Sequence, residues 1–561
     1  MRIQDQKIRL ISLIALIAVL AVIMIASIIY IQRAIYTSNL SSRPFNIGLT
    51  SNLENLEPAL IDNHGLRLVS AAIYEGMVVY DENSQSIQPR LAKSWKYKDK
   101  GKSIIINLRK DIKFSNGKKL TASDVKTSWE HNFSRSRDWS NISMYLTIAG
   151  SSEKLAGKSS EISGIKVLNP HTLKIIFARP NAAFISSLSN PAFWVMDLGA
   201  GLNPPPGTGP YVLKENQPQS LVLLKNDLYY RGQPHLSALI VAVFPDAKQA
   251  FKAYQEGKID FLDDIPGEEL ANIRSKPDYK GLLIEKPVLE TYCLGFNMGR
   301  DPYAGSYLLR RALNYAIDRE YIIKNILGGS YIVAKAVIPT GLDAYSKRMY
   351  GYRYDPDKAR QLLEESGHPQ GQGLSTLTLT YNKNSGHSQV ATEIARQLAQ
   401  YGITVQLQEQ NWDYYKKQVN GRYISFFRLG WAADYPDADN FLYSLFHSSK
   451  IGVSNFCGYH NPQLDRILDA SRSQYKDPAA RIKLLQRAEE IIVDDAPCLW
   501  LFQKKAEKLI SPDVRKLTLD KMEMVDWYQV ELAKPSIDKT SDNRNSVKTP
   551  VPEKSSIPKT D

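Results

Sequence analysis

The chain has 561 residues, 43% of them hydrophobic and 23% charged, a globular composition with material for three or four packed units of about 150 residues each; a peptide or a small disulfide scaffold is excluded. Its formal charge is +13, but residues 1–43 and 534–561 carry +6 of that and the 490 residues between them only +7, so the charge is not gathered into a nucleic-acid footprint. Three cysteines, Cys293, Cys457 and Cys498, allow at most one internal bridge, and the fold cannot rest on disulfides.

Leu10 to Ile31 is a run of 22 uncharged, mostly apolar residues, and a helix of that length spans a hydrocarbon core of about 30 Å. Arg2, Lys7 and Arg9 precede it and outnumber Arg33 after it, which places the N-terminus in the cytoplasm and the body outside. A cleavable signal has an apolar region of about 7–15 residues and a small-residue cleavage site. This run is longer and continues into Tyr30-Ile31-Gln32-Arg33, so an uncleaved single-pass anchor is expected, with the body on the extracytoplasmic side of the cell membrane.

Residues 90–119 hold eleven basic side chains against Asp99 and Asp111. A solvated face of a β-hairpin is predicted for them, with anionic lipid or cell-wall polymer as the other partner such a face suits. Ser103–Leu108 (SIIINL) reads as a strand, Asn116-Gly117 as a tight turn, and Thr121 as a helix cap with Asp124 near the helix N-terminus. Ser306–Leu327 places Leu309, Leu313, Ala316, Ile317 and Ile323 on one side at helical spacing, ending at Gly328-Gly329. One core-facing helix is predicted there. Thr392–Leu398 reads as a helix stopped by Gly402 before an alternating strand from Ile403 to Leu407, and Tyr423–Phe427 reads as a further aromatic-rich strand. Helix followed by strand is the unit of an α/β lobe. The last 28 residues, 534–561, are rich in Pro, Ser, Lys and Thr with no aromatic residue, and a disordered tail is predicted.

No catalytic motif appears. Gly101-Lys102-Ser103 lacks the glycine five residues upstream that a phosphate loop requires, Lys96 standing there instead. The eight histidines show no zinc-ligand spacing, and there is no GxSxG elbow. What stands out is Arg428-Leu429-Gly430-Trp431-Ala432-Ala433-Asp434, a cation, a large ring and a carboxylate within seven residues. An Arg fork suits a carboxylate, an aspartate suits an ammonium, and Trp offers an apolar wall, together complementary to a zwitterionic peptide. The same residues also suit a core tryptophan with a structural Arg–Asp ion pair.

Several blocks occur in a recognisable order: Tyr74-Glu75-Gly76-Met77, Leu91-Ala92-Lys93-Ser94-Trp95, the stretch from Leu108-Arg109 through Lys113-Phe114-Ser115-Asn116-Gly117 to Thr121-Ala122-Ser123-Asp124-Val125, Gly207-Thr208-Gly209-Pro210-Tyr211, Asn226–Gly232 (NDLYYRG), Phe296-Asn297 with Arg310–Arg319 (RRALNYAIDR), Trp431–Phe441, and Tyr459-His460-Asn461-Pro462. With them the chain resembles, over about 45–530, the bacterial extracellular solute-binding proteins of family 5, which deliver oligopeptides and dipeptides to ABC importers. The resemblance implies an α/β, two-lobed type II periplasmic-binding-protein fold with an extra domain. The implied divisions are a stub and anchor (1–42), lobe I (43–83 with 195–288 and 496–533), the extra domain (84–194), lobe II (289–495) and the tail. It further implies a monomer that is no enzyme, needs no cofactor or metal, and partners with a peptide, permease subunits and the membrane. A non-peptide ligand (nickel chelate, haem or oligosaccharide) and a membrane-tethered sensor or scaffold are the competing readings. By the same resemblance Asp434 looks like the partner of a peptide's α-amino group, Arg428 and His387 like partners of its carboxylate, Trp412 and Trp431 like walls of side-chain pockets, and Ile61–Gly65 like a source of backbone pairing. Two departures stand out: no cysteine follows the apolar segment as a lipoprotein would have it, and Ala438 replaces a common proline, which implies a less constrained loop after Asp434.

Overall fold

The computed structural model describes residues 40–41, 43–136 and 139–533. Arg43–Glu531 forms one compact unit; apart from it, Leu40–Ser41 pairs antiparallel with Leu532–Ala533. The expected anchor 10–31 and tail 534–561 lie outside the described residues, and among those described no helix is long and apolar enough to cross a membrane.

One 11-stranded mixed sheet organises the compact unit. Its middle is an antiparallel pair of long strands, Leu283–Phe296 and Cys498–Ile510. The Leu283–Pro287 half pairs with Lys505–Leu509, the Thr291–Gly295 half with Cys498–Gln503, and the register breaks between them at Pro287 and Thr291, where proline withholds a ladder donor. On the first side lie the strands Phe261–Leu262, Phe45–Leu49, Ala238–Val243, Ser220–Lys225 and Tyr211–Gln217; on the other lie Phe426–Ala432, Leu377–Asn382 and Val405–Gln410; the eleventh strand, Tyr331–Val333, pairs with Phe502–Lys504 off this path. Two buried clusters cover the two faces of that second side. One gathers Tyr292, Leu313, Leu379 and Phe426; the other gathers Cys293, Phe427, Leu429, Phe441 and Trp500, as the two-residue period of strands requires. The sequence places a division at 496, but the Cys498–Phe502 half of the strand is buried with the 289–495 segment, because the strand runs unbroken through the register shift.

A separate four-stranded antiparallel sheet, in the order Ala92–Lys98, Ser103–Leu108, Thr172–Ile176, Ile165–Asn169, has its own core with Trp129, Tyr145 and Phe193. The first two strands are the expected hairpin. Lys93, Lys96, Lys98, Lys100 and Lys102 are exposed on it, whereas Arg90 turns inward. Gly117 has φ of +90° in the expected turn, and Thr121 and Asp124 form a reciprocal capping box on helix Ala122–Arg135.

The expected single helix over 306–327 is two, Tyr307–Ala316 and Arg319–Asn325. Asp318 breaks the run by capping the second helix through the Tyr321 amide. The break brings Arg319 beneath the sheet, where it donates to the carbonyls of Asn314, Ile317 and Trp500. The Thr392–Leu398 helix is part of a longer one, Ser385–Ala399, and the strand after Gly402 is Val405–Gln410. All three cysteines are buried free thiols, with Cys457 and Cys498 Sγ atoms 3.6 Å apart.

Candidate ligand-binding site

The strand expected over Tyr423–Phe427 begins instead at Phe426 and runs to Ala432, so the Arg-Leu-Gly-Trp-Ala motif is itself the strand. It pairs with Leu283–Phe296 along its whole length but with Leu377–Asn382 only at Phe426 and Phe427. Among the described residues its Leu429–Ala432 edge has no neighbouring strand on that side. Open backbone groups of this kind are a template for an extended chain. A cavity of about 300 Å³ runs past it, lined by Trp412, Tyr415, Arg428–Trp431 and Asp434.

Alternation along the strand splits the motif. Arg428 lies opposite Leu294 and Gly430 opposite Tyr292, and the Arg428 guanidinium stands 4.8 Å over the Tyr292 ring. The Trp431 indole is on the other face, donating to Asn440 Oδ1 at 3.0 Å. Arg428 and His387 share Tyr292 as a neighbour, Tyr292 Oη lying 3.4 Å from His387 Nδ1, and His387 is not among the residues lining the cavity that Arg428 and Trp431 share. Burial, helped by the Arg428 charge, pushes the His387 imidazole down to about 4. It is neutral at pH 7 and offers a carboxylate a hydrogen bond, not a charge.

Asp434 follows the strand and lines three adjoining cavities. Fully buried Asn440 orients it, donating Nδ2 to Asp434 Oδ2 at 2.9 Å and accepting the Asp434 amide on the Oδ1 that also receives Trp431. Asn190, from the 84–194 segment, donates to the Asp434 carbonyl at 2.8 Å. Lys450 lines the smallest of these cavities with Asp434; burial, then Arg472, pushes its ammonium down to about 8 against the pull of Asp439 and Asp434. The loop after Asp434 is not loosened by Ala438. Arg481 grips Asp437 with two bonds of 3.0 and 2.7 Å, and Arg472 grips buried Asp439 with two of 2.8 and 2.7 Å. Bidentate forks of this geometry fix both partners. Tyr435 is inserted into the core of the four-stranded domain. Of the Ile61–Gly65 segment, His64 and Gly65 lie in the first turn of helix His64–Ile73, capped by Asn63, and Ile61–Asn63 precede it.

Trp412 is 51% exposed at the start of helix Trp412–Asn420, stacked on Tyr415 at 6.2 Å with the Lys416 ammonium 5.2 Å from its ring. An indole so placed is free to wall a cavity without supporting the fold. Trp412→Ala is expected to change stability by less than about 0.5 kcal/mol, and a larger loss in thermal denaturation would make the ring structural.

The sequence reading missed the second wall. Glu75, Arg90, Trp194, Tyr229 and Asp526 meet Asp434 around a cavity of about 140 Å³. Glu75 accepts from Tyr229 Oη at 2.8 Å and lies 3.8 Å from Arg90, which bonds Asp526 at 3.3 Å. Burial raises the Glu75 carboxyl to about 7 despite Arg90. The motifs YEGM and NDLYYRG contained two of these residues, but nothing in their spacing shows that they converge. Among the described residues no group of three His, Cys, Asp or Glu has metal-holding geometry.

A mixed α/β protein with an open strand edge, an oriented carboxylate and adjoining cavities is a ligand-binding protein. Its class is specific: the profile described as the middle part of the bacterial extracellular solute-binding proteins, family 5, matches residues 86–452, and the chain belongs to that family. Curated relatives include a heme-binding protein A of Haemophilus influenzae, 27% identical over 82% of this chain and 86% of that protein. A dipeptide-binding protein of Escherichia coli K12 is 26% identical over 80% and 87%. Among solved structures, the unliganded open form of the periplasmic murein tripeptide binding protein MppA superposes with a TM-score of 0.76 at 24% identity, covering 88% of this chain and 98% of that one. DppA of Helicobacter pylori with the peptide STSA gives 0.70 at 21%, covering 89% and 100%. These structural likenesses establish the shared fold.

Proposed function

We propose that this protein captures peptides on the extracytoplasmic side, between lobes that close around them, and delivers them to an ABC importer, tethered by the segment 10–31. The carrying observation is the juxtaposition of Asp434 with the open Leu429–Ala432 edge. An extended peptide pairing with that edge brings its α-ammonium to Asp434, its side chains alternately toward the Trp431 and Arg428 faces, and its carboxylate toward Arg428 and His387. Peptide-binding relatives and solved neighbours support this ligand class. The lobes we assign are 43–83 with 195–288 and the part of 496–533 that follows the Cys498–Gln503 half-strand, and 289–495 with that half-strand; 84–194 is the extra domain. The hinge we assign is the register break at Pro287–Thr291, through which both strands continue. The chemistry is binding and release, as a monomer, without a cofactor.

Native mass spectrometry of the full-length protein, extracted without refolding, tests the reading. The expected result is a ladder of adduct masses fitting short peptides. A single non-peptide mass replaces the ligand class, a reading that the heme-binding relative keeps in view. Protein that is empty and ignores an added peptide library overturns capture in favour of a tethered sensor or scaffold.

A further inference from the structure

The cavity of about 140 Å³ on the far side of Asp434 has a definite charge. Its lining carries six carboxylates (Glu75, Asp81, Glu82, Asp434, Asp520, Asp526) against two guanidiniums (Arg67, Arg90). Cations from outside the lining offset part of this: Lys286 bonds Glu82 at 2.6 Å and Arg231 bonds Asp526 at 3.3 Å. Asp520 has no such partner among the described residues. It is 8% exposed, and its Oδ1 accepts only the amides of Met522 and Met524. Asp81 bonds only the Ser84 amide and hydroxyl.

Four buried polar atoms on the lining residues are unsatisfied: the oxygens Tyr80 Oη, Glu75 Oε2 and Glu82 Oε2, and the Arg67 Nε donor. Tyr80 is 7% exposed and its hydroxyl has no hydrogen-bond partner; the carboxylates of Glu82, Asp343, Asp520 and Asp81 surround it. Glu75 is equally buried, and its Oε2 accepts no bond of ordinary geometry although the Thr208 hydroxyl lies close by. Buried polar groups are nearly always paired, so three unsatisfied oxygens on the lining residues of a cavity with space for roughly ten waters suit a donor from the ligand. The wall also offers Ala71, Val78, Trp194 and Met524, surfaces along which the methylenes of a long basic side chain lie while its charged head reaches the acids.

From this cavity we infer that it is the subsite for a basic side chain on the amino-terminal residue of the ligand, with Asp520, Asp81 and Glu75 as its counter-charges. The inference rests on the peptide reading above, since Asp434 anchors the α-ammonium at the mouth of the same cavity. Burial raises both Asp520 and Glu75 to about 7, in Asp520 against the pull of Lys286 and in Glu75 against that of Arg90.

Calorimetric titration of the full-length protein with Lys-Ala-Ala, norleucyl-Ala-Ala and Glu-Ala-Ala tests it. Lys-Ala-Ala is expected to bind at least about tenfold tighter than the norleucine peptide, and Glu-Ala-Ala weakest. Asp520→Asn keeps an acceptor for both amides and is expected to reduce the lysine-to-norleucine ratio to within about threefold; Asp81→Asn gives a second, smaller reduction. Equal affinity of the three peptides for the wild type overturns the subsite and leaves peptide capture standing. A ratio unmoved by both substitutions also overturns it. Failure of all three peptides to bind overturns the peptide reading itself.

Discussion

Lys508→Met is expected to cost about 3–5 kcal/mol of folding stability at pH 7, the usual penalty for removing one partner of a buried ion pair. Lys508 is 5% exposed, with Nζ 2.6 Å from Asp263 Oδ1 and 3.3 Å from Glu523 Oε2. The two acids are comparably buried, and their other partners sit at the edge of the group: Lys504 reaches Glu523 at 3.2 Å and His64 reaches Asp263 at 3.1 Å. Burial works to raise both carboxyls, but Lys508 with His64 holds Asp263 well below the usual carboxylate range, and Lys508 with Lys504 brings Glu523 down to about 2. A depressed folded pKa contributes stability above the unfolded value of about 4 and loses it as pH falls toward the folded value. The wild type should therefore weaken below about pH 4. In the methionine variant the same acids lose their main counter-charge, so the difference between the two proteins should shrink as they protonate. Denaturant unfolding at pH 7 and near pH 4 checks both points; a deficit below about 1 kcal/mol at pH 7, or one that stays constant with pH, would show that the network is solvent-compensated.

The position of this network explains its cost. Lys508 lies on the Cys498–Ile510 strand just past the register break, Asp263 follows Phe261–Leu262, and His64 begins the helix whose Arg67 lines the acidic cavity. Nothing in the local sequence joins these residues, which are separated by some 440 positions. Charges are read poorly from sequence for this reason: a buried ion pair is a property of three-dimensional convergence, and its members look like surface residues in a linear pattern. The elements that were legible had local causes. Ser103–Leu108 carries three consecutive β-branched isoleucines, Gly117 supplies a left-handed turn, and Thr121 caps with Asp124. Where a local signal was outweighed, the competitor is identifiable. Asp318 interrupts a continuous apolar stripe because capping Tyr321 lets Arg319 reach the sheet carbonyls, and the aromatic run at 423–427 marked the strand's entry rather than its extent.

The site was half legible for the same reason. Arg428, Trp431 and Asp434 are near in sequence and flank one cavity, but strand alternation sends Arg428 to the Tyr292 and His387 face, and Asn440 rather than Arg428 orients Asp434. Spacing of three reads as adjacency on a helix and as opposition on a strand. The acidic wall opposite was hidden because Glu75, Asp520 and Asp526 come from segments that share no pattern.

Asp434→Asn isolates the charge at the centre of this arrangement. The amide keeps the shape of the carboxylate and an oxygen for Asn440 Nδ2, whose Oδ1 still accepts the residue 434 amide and Trp431, so the melting temperature is expected to stay within about 2 °C of wild type. Peptide affinity is expected to fall by about 2–5 kcal/mol, the range for losing one partner of a desolvated charge pair. The discriminating measurement compares a free tripeptide with its N-acetylated form on both proteins. Acetylation removes the ammonium that Asp434 receives, so the wild type should strongly prefer the free peptide and the variant should scarcely distinguish the two; the non-additivity of the two changes is the coupling between ammonium and carboxylate. A variant that retains the wild-type preference would place the ammonium elsewhere. The nearest alternative counter-charges are then those of the acidic cavity, and the peptide would enter in a register shifted along the strand edge, with the Arg428 and His387 face meeting a side chain instead of the carboxylate.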